Sequence, residues 1–297
     1  MSANTVNHPV TKIVILGGTG FVGGYLKHFF AQQPNTQVIT FGREAFDCDV
    51  NLSQNINGCD LLIMLAGANI GQRWNAAYKQ LLWDSRINTN QQLAHAISLC
   101  DQPPKRVFSA SAIGIYPPNT CATPVDETCT AIGNNELGRL GQAWEEVSLR
   151  LSVPPVIFRF GVVLGKNGGA LAKMLPPFKL GLGGPVAGGQ QCFSWVHIHD
   201  LARAMHFVMQ RPELNGVFNL TSPNPVSNAQ FGASLAKSVH RPFWLPLPEF
   251  QLKLMFGEGA MVLTHSSAVV PTRLLNAGFT FEYPNIQNAL NHIVQQR

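Results

Sequence analysis

Residues 12–32 read KIVILGGTGFVGGYLKHFFAQ, a β-branched apolar run, a glycine turn and a helical pattern in direct succession. The run at 12–16 suits a strand buried on both faces. Gly17, Gly20 and Gly23 then fall three residues apart where strand gives way to helix. That spacing has a physical basis. One glycine permits the tight turn, the next lets a diphosphate approach the backbone, and the third allows close helix–strand contact. The start of the helix adds free N–H groups and partial positive charge. Set between a strand and a helix, the triplet predicts a dinucleotide-binding turn.

Outward from this turn the same alternation continues. Residues 37–41, 60–65, 106–109 and 156–160 read as strands, and 78–99 and 136–151 as helices. Strands that alternate with helices predict an α/β protein with a Rossmann-type doubly wound parallel sheet. Its expected extent is residues 11–165, with a return near 193–211 through a strand-then-helix segment. A smaller C-terminal substrate lobe is expected from 166–192 and 216–297, with helices at 228–239 and 286–294. The stretch 166–191 is rich in Gly and Pro and reads as a long connection or lid. Its part from Gly181 to Gly189 would cover substrate or form a loop stiffened by Pro176, Pro177 and Pro185.

Composition narrows the function classes. The 297 residues are 45% hydrophobic and 12% charged, which requires a large core and excludes general disorder. No apolar run reaches the ~20 residues that span a bilayer, and the opening MSANTVNHPVTK lacks a basic start and an apolar core. The expectation is a cytoplasmic protein with no membrane partner. The net charge of +5 comes from dispersed Lys and Arg, which favours small anionic ligands and gives no support for nucleic-acid binding. The six cysteines, Cys48, Cys59, Cys100, Cys121, Cys129 and Cys192, show no C-x-x-C or zinc spacing, so most are expected as small apolar core residues. His197 and His199 alternate as on a strand and share a face, but no third ligand stands at useful spacing, so no metal is expected. Trp74, Trp195 and Trp244 read as core and cleft lining.

Cofactor choice turns on the tip of the second strand, Phe41-Gly42-Arg43. NAD sites usually carry a carboxylate there, about 20 residues past the glycines. Here the guanidinium of Arg43 is placed to pair with a 2′-phosphate, which favours NADP over NAD, although Glu44 is its neighbour.

Several segments together resemble the extended short-chain dehydrogenase/reductase superfamily: GGTGFVG, the strand end Leu65-Ala66-Gly67, SASAIG, FRFGVVLG and SWVHIHDL. Arg73-Trp74, Tyr78-Lys79, Ser85-Arg86-Ile87, the block 168–185 and the block 269–284 are similar to the YfcH-like NAD-dependent epimerase/dehydratase family. Its bacterial members carry a sugar-nucleotide epimerase label. The resemblance runs over nearly the whole chain from Thr11. It implies cofactor contacts at Gly17, Thr19, Gly20, Phe21, Val22, Gly42, Arg43, Leu65, Ala66, Arg86 and Val163. It also implies a small-molecule substrate of the nucleotide-linked or carbohydrate kind.

Superfamily chemistry uses a Tyr-x-x-x-Lys pair on one helix face, with a Ser at the end of the preceding strand. Ser111 fits the serine position, but the tyrosine slot falls on Leu137 and the lysine slot on Gly141, with Glu145 marking the register. None of the four tyrosines is followed by Lys at the fourth residue. Two readings stay open. The first is an enzyme with another proton donor, Tyr116 before Lys79 or Glu127. The second is a catalytically silent NADP(H)-binding regulatory or scaffold module.

Overall fold

The computed structural model describes residues 10–295. In chain order the elements are β1 (Thr11–Leu16), α1 (Phe21–Ala31), β2 (Thr36–Phe41), α2 (Asp49–Ile56), β3 (Leu61–Met64), α3 (Ala76–Ser98), β4 (Arg106–Ala112), α4 (Glu136–Ser148), β5 (Pro155–Phe160) and β6 (Val162–Leu164). There follow α5 (Gly169–Lys179), β7 (Cys192–Phe193), β8 (Trp195–His197), α6 (Ile198–Met209), β9 (Val217–Leu220), β10 (Val226–Ser227), α7 (Asn228–Ser238), α8 (Glu249–Phe256), α9 (Met261–Thr264), α10 (Thr272–Asn276) and α11 (Ile286–Gln295). The main sheet has six parallel strands in the order β2-β1-β3-β4-β5-β9. Chain direction across the sheet reverses between β1 and β3, and the crevice outside that switch point is where such sheets take ligands.

Two apolar layers hold the sheet. On one face Ile13, Ile15, Phe108, Phe158 and Phe218 pack against Leu26 and Phe30 of α1 and Leu201 and Met205 of α6. On the other, Val14, Leu16, Leu62 and Val107 meet Leu52 and Ile56 of α2 and Leu93 and Ile97 of α3. Each such side chain, fully buried, stabilises the fold by about 1.5–3 kcal/mol. The helices start on local signals. The Asn75 side chain accepts from Tyr78 N–H, Asn135 from Gly138 N–H, and Ser227 with Gln230 forms a complete capping box.

Several expectations are corrected. The stretch read as a connection contains α5, which carries Pro176 and Pro177 inside it. Proline argues against a helix interior, and here both sit past its middle. The strip from Gly181 onward is clamped rather than free. It bridges Phe243 and Leu247, and a Cβ on Gly184 would meet the Leu245 carbonyl oxygen at 1.8 Å. β9, placed by the sequence in the C-terminal lobe, is the sixth strand of the main sheet. His197 and His199 do not share a strand face. His197 ends β8 and caps α6, its Nδ1 accepting from His199 N–H at 3.0 Å. His197 Nε2 lies 3.1 Å from His292 Nδ1, and the ring stacks on Tyr283. Trp74 and Trp195 are buried, whereas Trp244 stands 62% exposed.

The cysteines differ most. Cys121 and Cys192 form a disulfide, and of the other four only Cys59 is buried. Unfolded but unreduced protein is therefore expected to show four titratable thiols, and six after reduction, in a thiol-reagent assay. Closing a loop of 71 residues constrains the unfolded chain, so reduction should lower the unfolding free energy by up to about 4 kcal/mol. Six thiols without reductant would refute the pairing.

Burial, reinforced by His292 and His199, pushes the His197 pKa down to about 3. The unfolded imidazole takes up a proton near pH 6.5, the folded one only near 3. Folding stability from this group is thus full above pH 6.5 and lost as pH falls toward 3, at roughly 1.4 kcal/mol per pH unit. Denaturant titrations from pH 7 to 4 should show a shallower slope in His197→Asn than in the parent, and identical slopes would exclude the effect.

Candidate functional site

The turn after β1 is shaped by contact with its neighbours. Gly17 has φ +88°, and a Cβ there would lie 2.9 Å from Leu65 C and Ala66 N. A Cβ on Gly23 would stand 2.3 Å from the Gly17 carbonyl oxygen. Gly17 N–H and Gly18 N–H both donate to the Phe41 carbonyl, so the ends of β1, β2 and β3 converge. No side chain caps α1, whose N-cap is Gly20, and Thr19 and Gly20 are exposed at the mouth. The structure thus brings Gly17, Gly42, Leu65 and Ala66 together at one end of the sheet. Phe21 and Val163 meet across Gly169, where a Cβ would stand 3.0 Å from the Phe21 ring and 3.0 Å from the Val163 carbonyl oxygen. The Phe21 ring is seated among Gly165, Gly168 and Gly169, and a Cβ on Gly168 would come within 2.0 Å of it. Val22, in the first turn of α1, packs against the core on the α1 side of the sheet.

At the β2 tip Arg43 is exposed and makes no hydrogen bond or ion pair among the described residues. Glu44 is turned back. Its Oε1 accepts from Gly42 N–H at 2.6 Å, which holds its carboxyl below the usual range. Arg86 is 8% exposed. It donates to the carbonyls of Leu82 at 3.1 Å and Ala68 at 3.2 Å, and its guanidinium lies 5.0 Å from the Trp144 ring centroid. No carboxylate pairs with it among the described residues. Burial, offset in part by the Tyr78 phenol, pushes its pKa down to about 10. Arg86 is thus a buried cation beside Gly67 with no counter-ion among the described residues, an arrangement that burial makes unfavourable unless an anion balances it.

Side chains from the end of β4 onward form a closed network. Ser111 Oγ donates to Glu145 Oε1 at 2.6 Å. Arg159 grips Glu145 with Nε and Nη2, both at 2.7 Å, and donates through Nη1 to the Tyr116 hydroxyl at 2.8 Å. That hydroxyl donates to Asn219 Oδ1 at 2.9 Å, and Asn219 N–H donates to Glu127 Oε1 at 2.9 Å. Ser111 and Tyr116 are both buried. Burial pushes the Tyr116 phenol up, against the opposing effect of Arg159, and likewise raises Glu127. Lys79, the other donor considered, pairs with Glu258 at 2.7 Å. Arg159 carried no assignment from the sequence. The visible sign was a cation inside the apolar run 156–160.

The empty slots on α4 are occupied by packing. Leu137 joins Ala68, Trp74, Leu82 and Leu140 in an apolar cluster that Tyr78, Met261 and Val262 adjoin. A Cβ on Gly141 would stand 2.9 Å from Ile115 Cβ, so α4 approaches too closely for a lysine stem.

Comparison with known proteins agrees with this architecture. A profile described as the NAD dependent epimerase/dehydratase family matches residues 13–221, and one for a domain of unknown function, DUF1731, matches 247–293. Epimerase family protein SDR39U1 of Bos taurus is 34% identical over 95% of this chain and 99% of its own length. Epimerase family protein YfhF of Bacillus subtilis is 32% identical over 96% and 99%. The solved structure of human epimerase family protein SDR39U1 (isoform 2) with NADPH is 30% identical, covers 96% of this chain and 100% of its own, and superposes with a TM-score of 0.86. The chain belongs to the NAD dependent epimerase/dehydratase family.

Proposed function

We propose that this protein binds NADP(H) across the ends of β1, β2 and β3 and holds it without the superfamily's Ser–Tyr–Lys proton relay. The observation that carries the cofactor choice is the β2 tip, where Arg43 stands unpaired while Glu44 is spent on the Gly42 amide. A free guanidinium suits a 2′-phosphate, and a carboxylate already hydrogen-bonded is a poor acceptor for a ribose hydroxyl. In this reading the backbone from Gly17 through Thr19 to Val22 takes the diphosphate. Arg86 supplies the balancing charge, with Leu65, Ala66, Phe21 and Val163 lining the site. The structure of SDR39U1 with NADPH supports the assignment. NADP(H), when bound, offers a hydride donor or acceptor. In this reading the C-terminal lobe, within residues 166–192 and 216–295 and apart from β9, closes the cleft.

The silence of the relay rests on four positions. Leu137 has no proton to give, Gly141 has no room for lysine, and the hydroxyls of Ser111 and Tyr116 are bound within the buried network. One observation favours a second reading, an oxidoreductase or epimerase-like enzyme on a nucleotide-linked or carbohydrate substrate. The Tyr78 phenol adjoins the Leu137 cluster, donates to the Asn69 carbonyl at 2.6 Å and acts electrostatically on Arg86.

Calorimetric titration should show NADPH binding at least about tenfold tighter than NADH, a 1.4 kcal/mol difference. Arg43→Ala should remove most of that preference. Failure of both nucleotides to bind folded protein would sink the proposal. NADPH consumption over a panel of carbonyls and sugar nucleotides should stay at background. Turnover lost in Tyr78→Phe but kept in Tyr116→Phe would instead establish the second reading. Gly141→Lys should destabilise the protein by about 1–3 kcal/mol in denaturant titration. An unchanged midpoint would show the slot to be open.

A further inference from the structure

The face carrying α5, the clamped glycine strip and the segment before α8 is apolar, basic and uncovered. Leu180 is 74% exposed, Leu182 49%, Trp244 62% and Leu245 39%. They are one patch. Trp244 N–H and Leu245 N–H both donate to the Gly183 carbonyl, and Trp244 Nε1 donates to the Gly181 carbonyl at 3.0 Å. The base is rigid, because the Phe178 and Phe243 rings stack beneath it. A soluble surface rarely holds large apolar side chains so firmly toward water without a partner.

Charge says which partner. Residues 161–199 and 214–248 contain Lys166, Lys173, Lys179, Lys237 and Arg241 and no Asp or Glu. Among the described residues none of these five cations forms an ion pair. Two are held at the patch itself, where Arg241 Nε donates to the Lys179 carbonyl at 2.8 Å and both side chains are exposed. A second copy docking on the same patch would bring these cations against their own counterparts, which is unfavourable. The apolar groups are open to solvent, so they suit a fluid apolar phase under an anionic surface. Indole at the polar boundary, leucine below it and Lys or Arg at the headgroups is the arrangement such an interface selects.

We infer that this face docks on the surface of an anionic phospholipid bilayer. Leu180, Leu182 and Trp244 enter the headgroup region while Lys179 and Arg241 meet lipid phosphates. The expectation that the chain has no membrane partner came from the absence of a span. No helix among the described residues is long and apolar enough to cross a membrane, and surface docking needs none. The inference does not depend on the cofactor reading.

The test is co-sedimentation of the intact protein with vesicles of phosphatidylglycerol and phosphatidylcholine, against vesicles of phosphatidylcholine alone. Binding should require the anionic lipid and weaken with salt. Lys179→Glu with Arg241→Glu should weaken it by roughly tenfold or more. A blue shift of tryptophan emission on binding should vanish in Trp244→Phe. Circular dichroism and the denaturant midpoint of each variant check the fold separately. No sedimentation with either vesicle, or binding indifferent to these substitutions, would overturn the inference. So would vesicle-independent self-association that Trp244→Ala abolishes, which would make the patch a copy–copy interface.

Discussion

The bidentate pair between Arg159 on β5 and Glu145 on α4 ties that helix to the central sheet. Both groups are buried, and withdrawing two charges from water is unfavourable unless every remaining donor and acceptor is satisfied. Here the surplus capacity is used. Glu145 also accepts a hydrogen bond from the Ser111 hydroxyl, and Arg159 also donates to the Tyr116 hydroxyl. Loss of either partner would strand a buried charge, at a cost of about 3–5 kcal/mol. The pair therefore fixes how α4 lies on β4. With α4 so placed, Gly141 is pressed on Ile115 and Leu137 is turned into an apolar cluster. Both positions on α4 are thereby occupied by packing.

The two ends of the cleft follow different rules. At the β1–α1 turn the geometry is set by backbone approach, and the neighbouring β2 tip carries the exposed, unpaired guanidinium of Arg43. At the β4 end polar side chains turn inward and satisfy one another. One end thus offers an unpaired guanidinium, and the other a hydrogen-bond network whose members satisfy one another.

What the sequence made legible follows from locality. KIVIL with its glycines specifies β1, α1 and the turn between them through neighbouring residues alone, and strands such as 156–160 announce themselves by composition. α2 was missed because DVNLSQNI is largely polar and buries only Leu52, Ser53 and Ile56. α5 was missed because two prolines interrupt it. The Cys121–Cys192 bond joins residues 71 apart, a separation that carries no local signal. The placement of the Tyr116 phenol depends on Ser111, Arg159 and Asn219 lying in register across β4, β5 and β9, a fact of strand pairing that one sequence does not display. Likewise Arg43 was readable as a position, but the turning back of Glu44 onto its neighbour's amide was not.

The seat of the Phe21 ring among three glycines carries a mechanical meaning. Phe21 opens α1, while Gly169 opens α5, so one aromatic plate couples the first turn after the opening strand to the root of the helix that leads to Leu180. Packed interiors transmit displacement because they have no slack. A larger side chain at any of the three glycines would therefore have to be accommodated at the start of both helices, because the ring fills the space between them.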